Sequence, residues 1–172
     1  FEEVEEELKL QLLKMGSLTE EMIQAAVRAL IERNPQATDE VFQKEERVNQ
    51  LHIQIDEMCL NLLALYQPIA VDLRFTLAAV KVNTDLERIA DQAVNISQNT
   101  LILLGLPRLQ QKLLDIPRMA KIAQLMLKES LDALVRKDVD LARAVIVRDH
   151  EEDHLKSEAF HEFLQIMQSD SS

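Results

Sequence analysis

The chain is short of the residues that interrupt helices. Its 172 residues include 2 Gly, 4 Pro and no Trp. With so few Gly and Pro, long segments can stay helical, and the abundant Leu, Ala, Glu, Gln and Lys favour helix. Apolar residues recur at steps of three and four, and there are no alternating β-branched runs. We therefore predict an all-α protein.

Cysteine is nearly absent as well. Cys59 is the only one in the sequence, so an internal disulfide is excluded, as fits a protein of a reducing cytosol. It lies in an apolar stretch between Met58 and Leu60. We expect a buried and inert thiol.

Positive charge is scarce, with 19 basic against 30 acidic residues and a net charge of −11. Phosphate backbones repel such a protein, so we expect no nucleic-acid partner. No apolar run approaches the ~20 residues that span a bilayer. No basic segment precedes a short apolar run, as it would in a signal peptide. Direct membrane insertion is therefore not expected.

Breaks in the periodicity divide the chain into helices. They fall at Asn34-Pro35, at Gln67-Pro68, at Gly105-Leu106-Pro107 and around Arg136-Lys137-Asp138. Five helices are predicted, at 2–33, 38–66, 70–104, 116–136 and 139–168. Gly16 is kept inside the first helix, with a kink allowed, because one interior Gly costs only about 1 kcal/mol.

The sequence also repeats at an offset of 104 residues. Ala29-Leu30-Ile31 aligns with Ala133-Leu134-Val135. Without a gap, Met15, Met22, Glu45, Asn49 and Leu51 then align with Met119, Met126, Asp149, Asp153 and Leu155. Helices four and five look like a second copy of helices one and two. We predict two tandem up-down three-helix bundles, at 1–105 and 106–172, the second lacking its last helix, which is expected after residue 172.

The third helix carries two seams of heptad spacing. The first is apolar throughout: Phe75, Ala79, Val82, Leu86, Ile89, Ala93 and Ile96. The second has two carboxylates near its centre: Leu73, Leu77, Val80, Thr84, Glu87, Asp91 and Val94. A helix with two seams is expected to lie between neighbours, so the acids should face another helix or its groove. Such a placement is costly without a cation or hydrogen-bond donors, so we expect something bound there.

Acidic residues at a spacing of four share one helix face. Glu87 and Asp91 form one such pair, and matching positions are Glu45 and Asn49 on helix two and Asp149 and Asp153 on helix five. Two facing pairs would surround a hard or borderline cation with oxygen ligands. The alternative is that Glu87 and Asp91 pair with Arg88 or with basic side chains of a neighbouring helix.

The segment DLRFTLAAVKVNTDLERIADQAVNISQ, residues 72–98, resembles the signature of the PhoU family of phosphate-uptake regulators. That signature reads approximately D-L-R, a helical spacer, then L-E-R-I-x-D-x-A-x-N-I. The matching residues are Asp72, Leu73, Arg74, Leu86, Glu87, Arg88, Ile89, Asp91, Ala93, Asn95 and Ile96. The segment KEERVNQLHIQID, residues 44–56, is similar to the family's acidic second helix, and the two-copy layout is similar too.

The resemblance implies a cytoplasmic regulator rather than an enzyme. It implies contacts with the ATPase subunit of the phosphate ABC transporter and with a sensor histidine kinase, repression of the starvation response when phosphate is plentiful, and a homodimer. It also implies metal clusters of iron, zinc, nickel, manganese or magnesium, with iron the first candidate. The implied ligands are Glu45, Asn49, Glu87, Asp91, Asp149 and Asp153. Asn49 departs from the family's usual acid, which should weaken its site.

Several residues around these pairs have two interpretations. Asp72 supports the site or only stabilises a helix N-terminus. Arg74 is solvated or faces a partner, and Asn95 extends the site or hydrogen-bonds across helices. His150 and His154, with Glu-x-x-His spacings nearby, are expected on a solvated surface. Because both Glu-x-x-His motifs fall on one helix, a ferritin-like di-metal oxidoreductase is only the alternative function. A third interpretation is a helical adaptor whose acidic pairs only form ion pairs.

Overall fold

Five long helices make up the described part of the chain, as the sequence predicts. The computed structural model describes residues 1–108 and 115–170, without the side chains of residues 163, 166, 169 and 170. The helices are α1 (Glu2–Glu32), α2 (Pro35–Asn61), α3 (Ala70–Leu103), α4 (Ile116–Arg136) and α5 (Val139–Asp170), and one π-helical turn (Leu62–Tyr66) extends α2. The all-α prediction is confirmed. The sixth helix expected after residue 172 lies outside the described residues.

The chain forms two compact units, Phe1–Pro107 and Arg108–Ser172. In the first unit α1, α2 and α3 all pack against one another, and in the second α4 packs against α5. The sequence predicts that the first three-helix repeat ends at residue 105. That boundary between the repeats stays a prediction.

The core of the first unit follows the apolar periodicity. Leu12 and Met15 of α1, Leu51 of α2, and Ala79 of α3 are fully buried. Buried hydroxyl groups form hydrogen bonds within their own helices. For example, the Thr19 hydroxyl donates to the Met15 carbonyl at 2.9 Å. Burial of these stripes stabilises each helix against the other two, because isolated helices are marginal in water.

The start of α2 differs from the prediction. Helix α2 begins at Pro35 rather than at residue 38. Pro suits a first helical position, and the Asn34 side chain caps the helix by accepting from the Gln36 N–H at 3.0 Å. Helix α1 runs without interruption past Gly16, as the sequence predicts.

The first seam of α3 is mostly buried, although Ile96 at its end is 36% exposed, and the second seam is only partly covered. Phe75 and Leu86 of the first seam are buried at the junction of the three helices. In the second seam, Leu73 is 36% and Leu77 is 48% exposed. The sandwiched placement predicted for this seam is therefore wrong at its N-terminal half, where these two leucines are not covered by a neighbouring helix.

The corners between paired helices have the same construction in both units. Arg33 and Lys137 each adopt the left-handed conformation, with φ of 52° and 56°. The next residue's N–H donates back across the corner, Asn34 to the Ala29 carbonyl at 3.0 Å and Asp138 to the Ala133 carbonyl at 2.8 Å. The Asp138 side chain also accepts from the Leu141 N–H at 3.0 Å, as Asn34 does for α2. These equivalent residues stand at the 104-residue offset.

Candidate functional site

The predicted acidic pair lies on the part of α3 that is near His52 of α2. Glu87 and Asp91 are both half-buried and lie one helical turn apart on the same face of α3. The pair therefore concentrates negative charge at a place that is partly withdrawn from water.

The pKa of Glu87 is raised above its ordinary value. The largest cause is burial, followed by the negative charge of Asp91 and the hydrogen bond to it. The positive charges of His52 and Arg88 act in the opposite direction and do not cancel the effect. A cation bound beside the pair would lower this pKa, so the site gains most from a positive ligand.

Asn83 is a buried polar residue that joins α3 to α2. It is fully buried, and its Nδ2 donates to the His52 carbonyl and to Asp56 Oδ1, each at 2.9 Å. These two bonds hold one turn of α2 against α3, one helical turn away from Glu87. Sequence reasoning missed Asn83, because a polar residue between the two seams gives no periodic signal.

His52 is the second residue that the sequence did not single out for this site. Its Nε2 lies 3.9 Å from Asp56 Oδ2, while its Nδ1 is buried and has no hydrogen-bond partner. A buried imidazole nitrogen without a partner is uncommon in a protein interior. Since the charge of His52 acts on Glu87, this nitrogen is a nearby candidate ligand.

The partner positions predicted on α2 are less buried than the acids on α3. Glu45 is half-buried and Asn49 is exposed. Within residues 1–108 and 115–170, no group of three or more His, Cys, Asp or Glu side chains stands together as a ready metal site. Two carboxylates one turn apart supply two of the ligands that such a site needs. A third side chain would have to change its rotamer to reach the same ion. The metal ligands therefore stay a prediction.

The equivalent positions of the second unit are more open. Asp149 and Asp153 are exposed on α5, and Glu152 between them is half-buried. Burial and the charges of Asp149 and Asp153 raise the pKa of Glu152. Its Oε2 is buried and has no hydrogen-bond partner. Glu152 was not predicted, although its place inside a dense acidic run could have drawn attention to it.

Cys59 has the character that its surroundings predicted. The thiol is fully buried, and burial together with the charge of Asp56 raises its pKa to about 11. A thiol with this pKa is almost wholly protonated at neutral pH and so is a poor nucleophile.

Comparison with known proteins identifies the family. Residues 12–100 and 116–172 each match the family model of the PhoU domain. The two matches cover most of the chain and begin 104 residues apart, at the offset of the sequence repeat. The chain belongs to the PhoU family.

Curated relatives in the PhoU family align with nearly all of this chain. A phosphate-specific transport system accessory protein PhoU homolog of Clostridium acetobutylicum is 35% identical over 173 residues, covering 100% of this chain and 78% of the relative. A protein of the same name from Aquifex aeolicus is 35% identical over 155 residues, covering 90% of this chain and 69% of the relative.

Solved PhoU structures share the fold. The crystal structure of PhoU from Pseudomonas aeruginosa is 32% identical with a TM-score of 0.93, covering 99% of this chain and 82% of that one. The crystal structure of the phosphate transport system regulatory protein PhoU from Streptococcus pneumoniae is 26% identical with a TM-score of 0.85. The match covers 96% of this chain and 77% of that one. The predicted PhoU resemblance is thus confirmed.

These relatives are named as accessory proteins of a phosphate-specific transport system. The oxidoreductase alternative finds no support among them. His150 is exposed, and His154 Nε2 lies 3.0 Å from Glu158 Oε1 on the exposed surface of α5. That is the solvated surface expected for these histidines.

Other PhoU signature residues are spread along α3 and do not converge on the pair. Asp72 is in the first turn of α3, where its charge favours the helix N-terminus. Arg74 and Asn95 are exposed. Arg88 Nη1 lies 3.9 Å from Asp85 Oδ1.

No helix of the described ranges is long and apolar enough to cross a membrane.

Proposed function

We propose that this protein is an accessory regulator of phosphate transport that acts by binding rather than by turnover. The observation that carries the proposal is the 35% identity to a phosphate-specific transport system accessory protein over the whole of this chain. The match to a phosphate transport system regulatory protein, with a TM-score of 0.85, supports it further. In this proposal the protein is cytoplasmic and represses the phosphate-starvation response when phosphate is plentiful.

The proposed partners are the ATPase subunit of the phosphate ABC transporter and a sensor histidine kinase, with the protein acting as a homodimer between them. The acidic composition suits partners with basic contact surfaces, because opposite charges speed and orient protein association.

The regulatory role is tested by complementation. The chain is expressed in a bacterial strain that lacks its own PhoU protein and carries a phosphate-starvation reporter. We expect the reporter, which is active at high phosphate in this strain, to fall at least fivefold when the chain is present. A chain that accumulates to normal levels without lowering the reporter would contradict the proposal.

We propose in addition that the acidic pair of α3 binds a metal ion, with iron first among transition metals and magnesium as the alternative. Glu87 and Asp91 would be its anchors, and Glu45, Asn49 and the unpartnered nitrogen of His52 would supply further ligands. The raised pKa of Glu87 supports this, because an uncompensated carboxyl pair favours a cation. Asp149 and Asp153 would begin a second site. The bound ion would fix the shape of the surface presented to a partner.

Elemental analysis of protein purified without chelators tests the metal site. We expect stoichiometric metal in the unaltered chain and at least a fivefold loss in the Glu87→Gln/Asp91→Asn variant. The matched control is Glu46→Gln/Asp85→Asn, which removes the same charges at exposed positions and should keep the metal. If neither protein holds metal after reloading, the metal site is rejected while the regulatory proposal stands on the family alone.

A further inference from the structure

The connection between α2 and α3 exposes a short run of large apolar side chains. Leu65 is 75%, Tyr66 46%, Ile69 78% and Val71 57% exposed, all within seven residues. We name these four residues the apolar tip. Single exposed apolar residues are ordinary on a protein surface, whereas a contiguous set marks an interaction site.

The apolar tip is held in a defined backbone conformation. The π-helical turn ends at Tyr66, and two non-glycine residues then adopt the left-handed conformation, Gln67 with φ of 45° and Ala70 with φ of 51°. Leu62, at the start of the π-helical turn, is fully buried and anchors this end of the connection. Strained conformations of this kind persist where the surrounding structure imposes them, and they concentrate at functional sites.

The beginning of α1 forms an acidic border beside the apolar tip. The ring of Phe1 packs edge-on against Tyr66 with centroids 5.9 Å apart, so the exposed residues Glu2 and Glu3 follow directly at this edge. The nearest lysine of α1, Lys9, has its charge engaged, because its Nζ lies 3.0 Å from Glu5 Oε1 and 2.6 Å from Glu6 Oε1.

Positive charge near the apolar tip is limited. The Lys9 Nζ also lies 5.5 Å from the centre of the Phe75 ring, which ties α1 to the first turns of α3. On α3 the first turns carry one exposed basic residue, Arg74, and one half-buried acidic residue, Asp72. Acidic charge therefore predominates on the α1 side of the apolar tip.

We infer that the apolar tip is a docking surface for a protein partner that presents an apolar recess bordered by lysine or arginine. The acidic border would be repelled by an anionic membrane surface. In a symmetric contact between two copies of this chain, the two acidic borders would oppose each other. A basic protein surface is the partner that both the apolar side chains and the charge favour. The inference rests on the proposed function, in which the protein acts through protein partners.

Binding to the purified ATPase subunit of the phosphate transporter tests this surface. The full chain is compared with Leu65→Ser/Ile69→Ser, which removes the two most exposed side chains of the apolar tip, and with Glu2→Gln/Glu3→Gln, which removes the acidic border. The matched control is Ile102→Ser, since Ile102 is 68% exposed but lies at the other end of α3. Circular dichroism melting verifies that each variant keeps the fold, as expected for exposed positions.

We expect Leu65→Ser/Ile69→Ser to weaken binding at least tenfold and Ile102→Ser to change it less than twofold. Glu2→Gln/Glu3→Gln should lower the association rate severalfold and flatten its dependence on salt. Equal binding by the apolar-tip variant and the unaltered chain would overturn the inference alone. Absence of binding by the unaltered chain would overturn the proposed partner together with the inference.

Two further measurements test whether a second copy of the chain or a membrane occupies this surface instead. Sedimentation of the chain alone, and co-sedimentation with vesicles of phosphatidylglycerol and phosphatidylethanolamine, should be the same for the unaltered chain and for Leu65→Ser/Ile69→Ser. A loss of self-association in that variant would assign the surface to a second copy, and a loss of vesicle binding would assign it to a membrane. Either result would overturn the docking of a basic protein.

Discussion

Helices α1 and α5 have nearly the same length, 31 and 32 residues, yet they are buried to very different extents. Helix α1 buries ten residues. Among the described side chains of α5, only Val145 and Leu155 are buried. Ile146, Val147 and other large apolar residues of α5 are more than 60% exposed. Each helix of the first unit has two neighbours, whereas α5 has one neighbour within its own unit, so one side of its apolar surface lacks a partner there.

The comparison teaches that an apolar pattern in the sequence does not ensure burial. A stripe wider than about 100° needs two neighbouring helices to cover it. The difference in burial should appear as a difference in stability between the units, and the following predictions would test it.

The largest expected effect is a cavity in the first unit. Leu12 is fully buried, whereas Leu127, a core leucine of α4 in the second unit, is 9% exposed. We expect Leu12→Ala to lower the free energy of unfolding of its unit by roughly 3 kcal/mol and Leu127→Ala by roughly 1 kcal/mol, because an open site relaxes around the lost atoms. Hydrogen exchange followed by mass spectrometry reports each unit separately. Equal losses would mean that the second unit has a closed core.

The second prediction concerns the buried polar link of the first unit. Asn83→Ala leaves the His52 carbonyl and Asp56 Oδ1 without their donor, so we expect a loss of roughly 2 kcal/mol. The control Asn95→Ala alters an exposed amide on the same helix and should change stability by less than roughly 0.5 kcal/mol. Urea unfolding measures both. If Asn83→Ala unfolds like the control, the link contributes little.

The smallest changes in stability are expected at the two carboxyl groups whose pKa is raised, Glu87 of the first unit and Glu152 of the second. The folded pKa of each lies above its ordinary value of 4.5, so the folded protein retains a proton that the unfolded chain releases. Stability therefore falls as pH rises through the interval from 4.5 to the folded pKa, and the penalty persists at higher pH.

Glu87→Gln and Glu152→Gln each remove that penalty. We expect each variant to gain about 0.5 kcal/mol at pH 7, the size of a like-charge interaction across one helical turn, and nothing below the ordinary pKa. Urea midpoints at pH 4 and pH 7, measured with a chelator present, check this. A gain that is equal at both pH values would show that charge is not its cause.

Much of the fold followed from local pattern. The scarcity of Gly and Pro and the spacing of the first seam predicted five helices, and the boundaries agree to within about three residues except at the π-helical turn. Pro35 was treated as a break, although its place after Asn34 makes it the first residue of α2. The burial of Cys59 also followed from its neighbours in the sequence.

The candidate site was predicted only in part. The pairing of Glu87 with Asp91 depends on helical spacing alone, so the sequence sufficed for it. The contribution of His52 depends on the rotation of α2 against α3, which no local pattern contains. Arg33 is a similar case, since its guanidinium donates to the carbonyls of Leu104 at 3.4 Å and Leu106 at 3.0 Å, closing the end of α3 from more than 70 residues away.

The amino-acid sequence by itself determined that this protein is helical, that its helices repeat, and that it resembles the PhoU family. Those properties rest on contacts within a few residues and on a signature read along one helix. The tertiary structure decided which polar groups are buried and what they meet. Asn83 finds its partners 27 and 31 residues away on α2. Such pairings depend on how helices are rotated and aligned, and that is set by the packing of whole side-chain surfaces rather than by spacing along the chain.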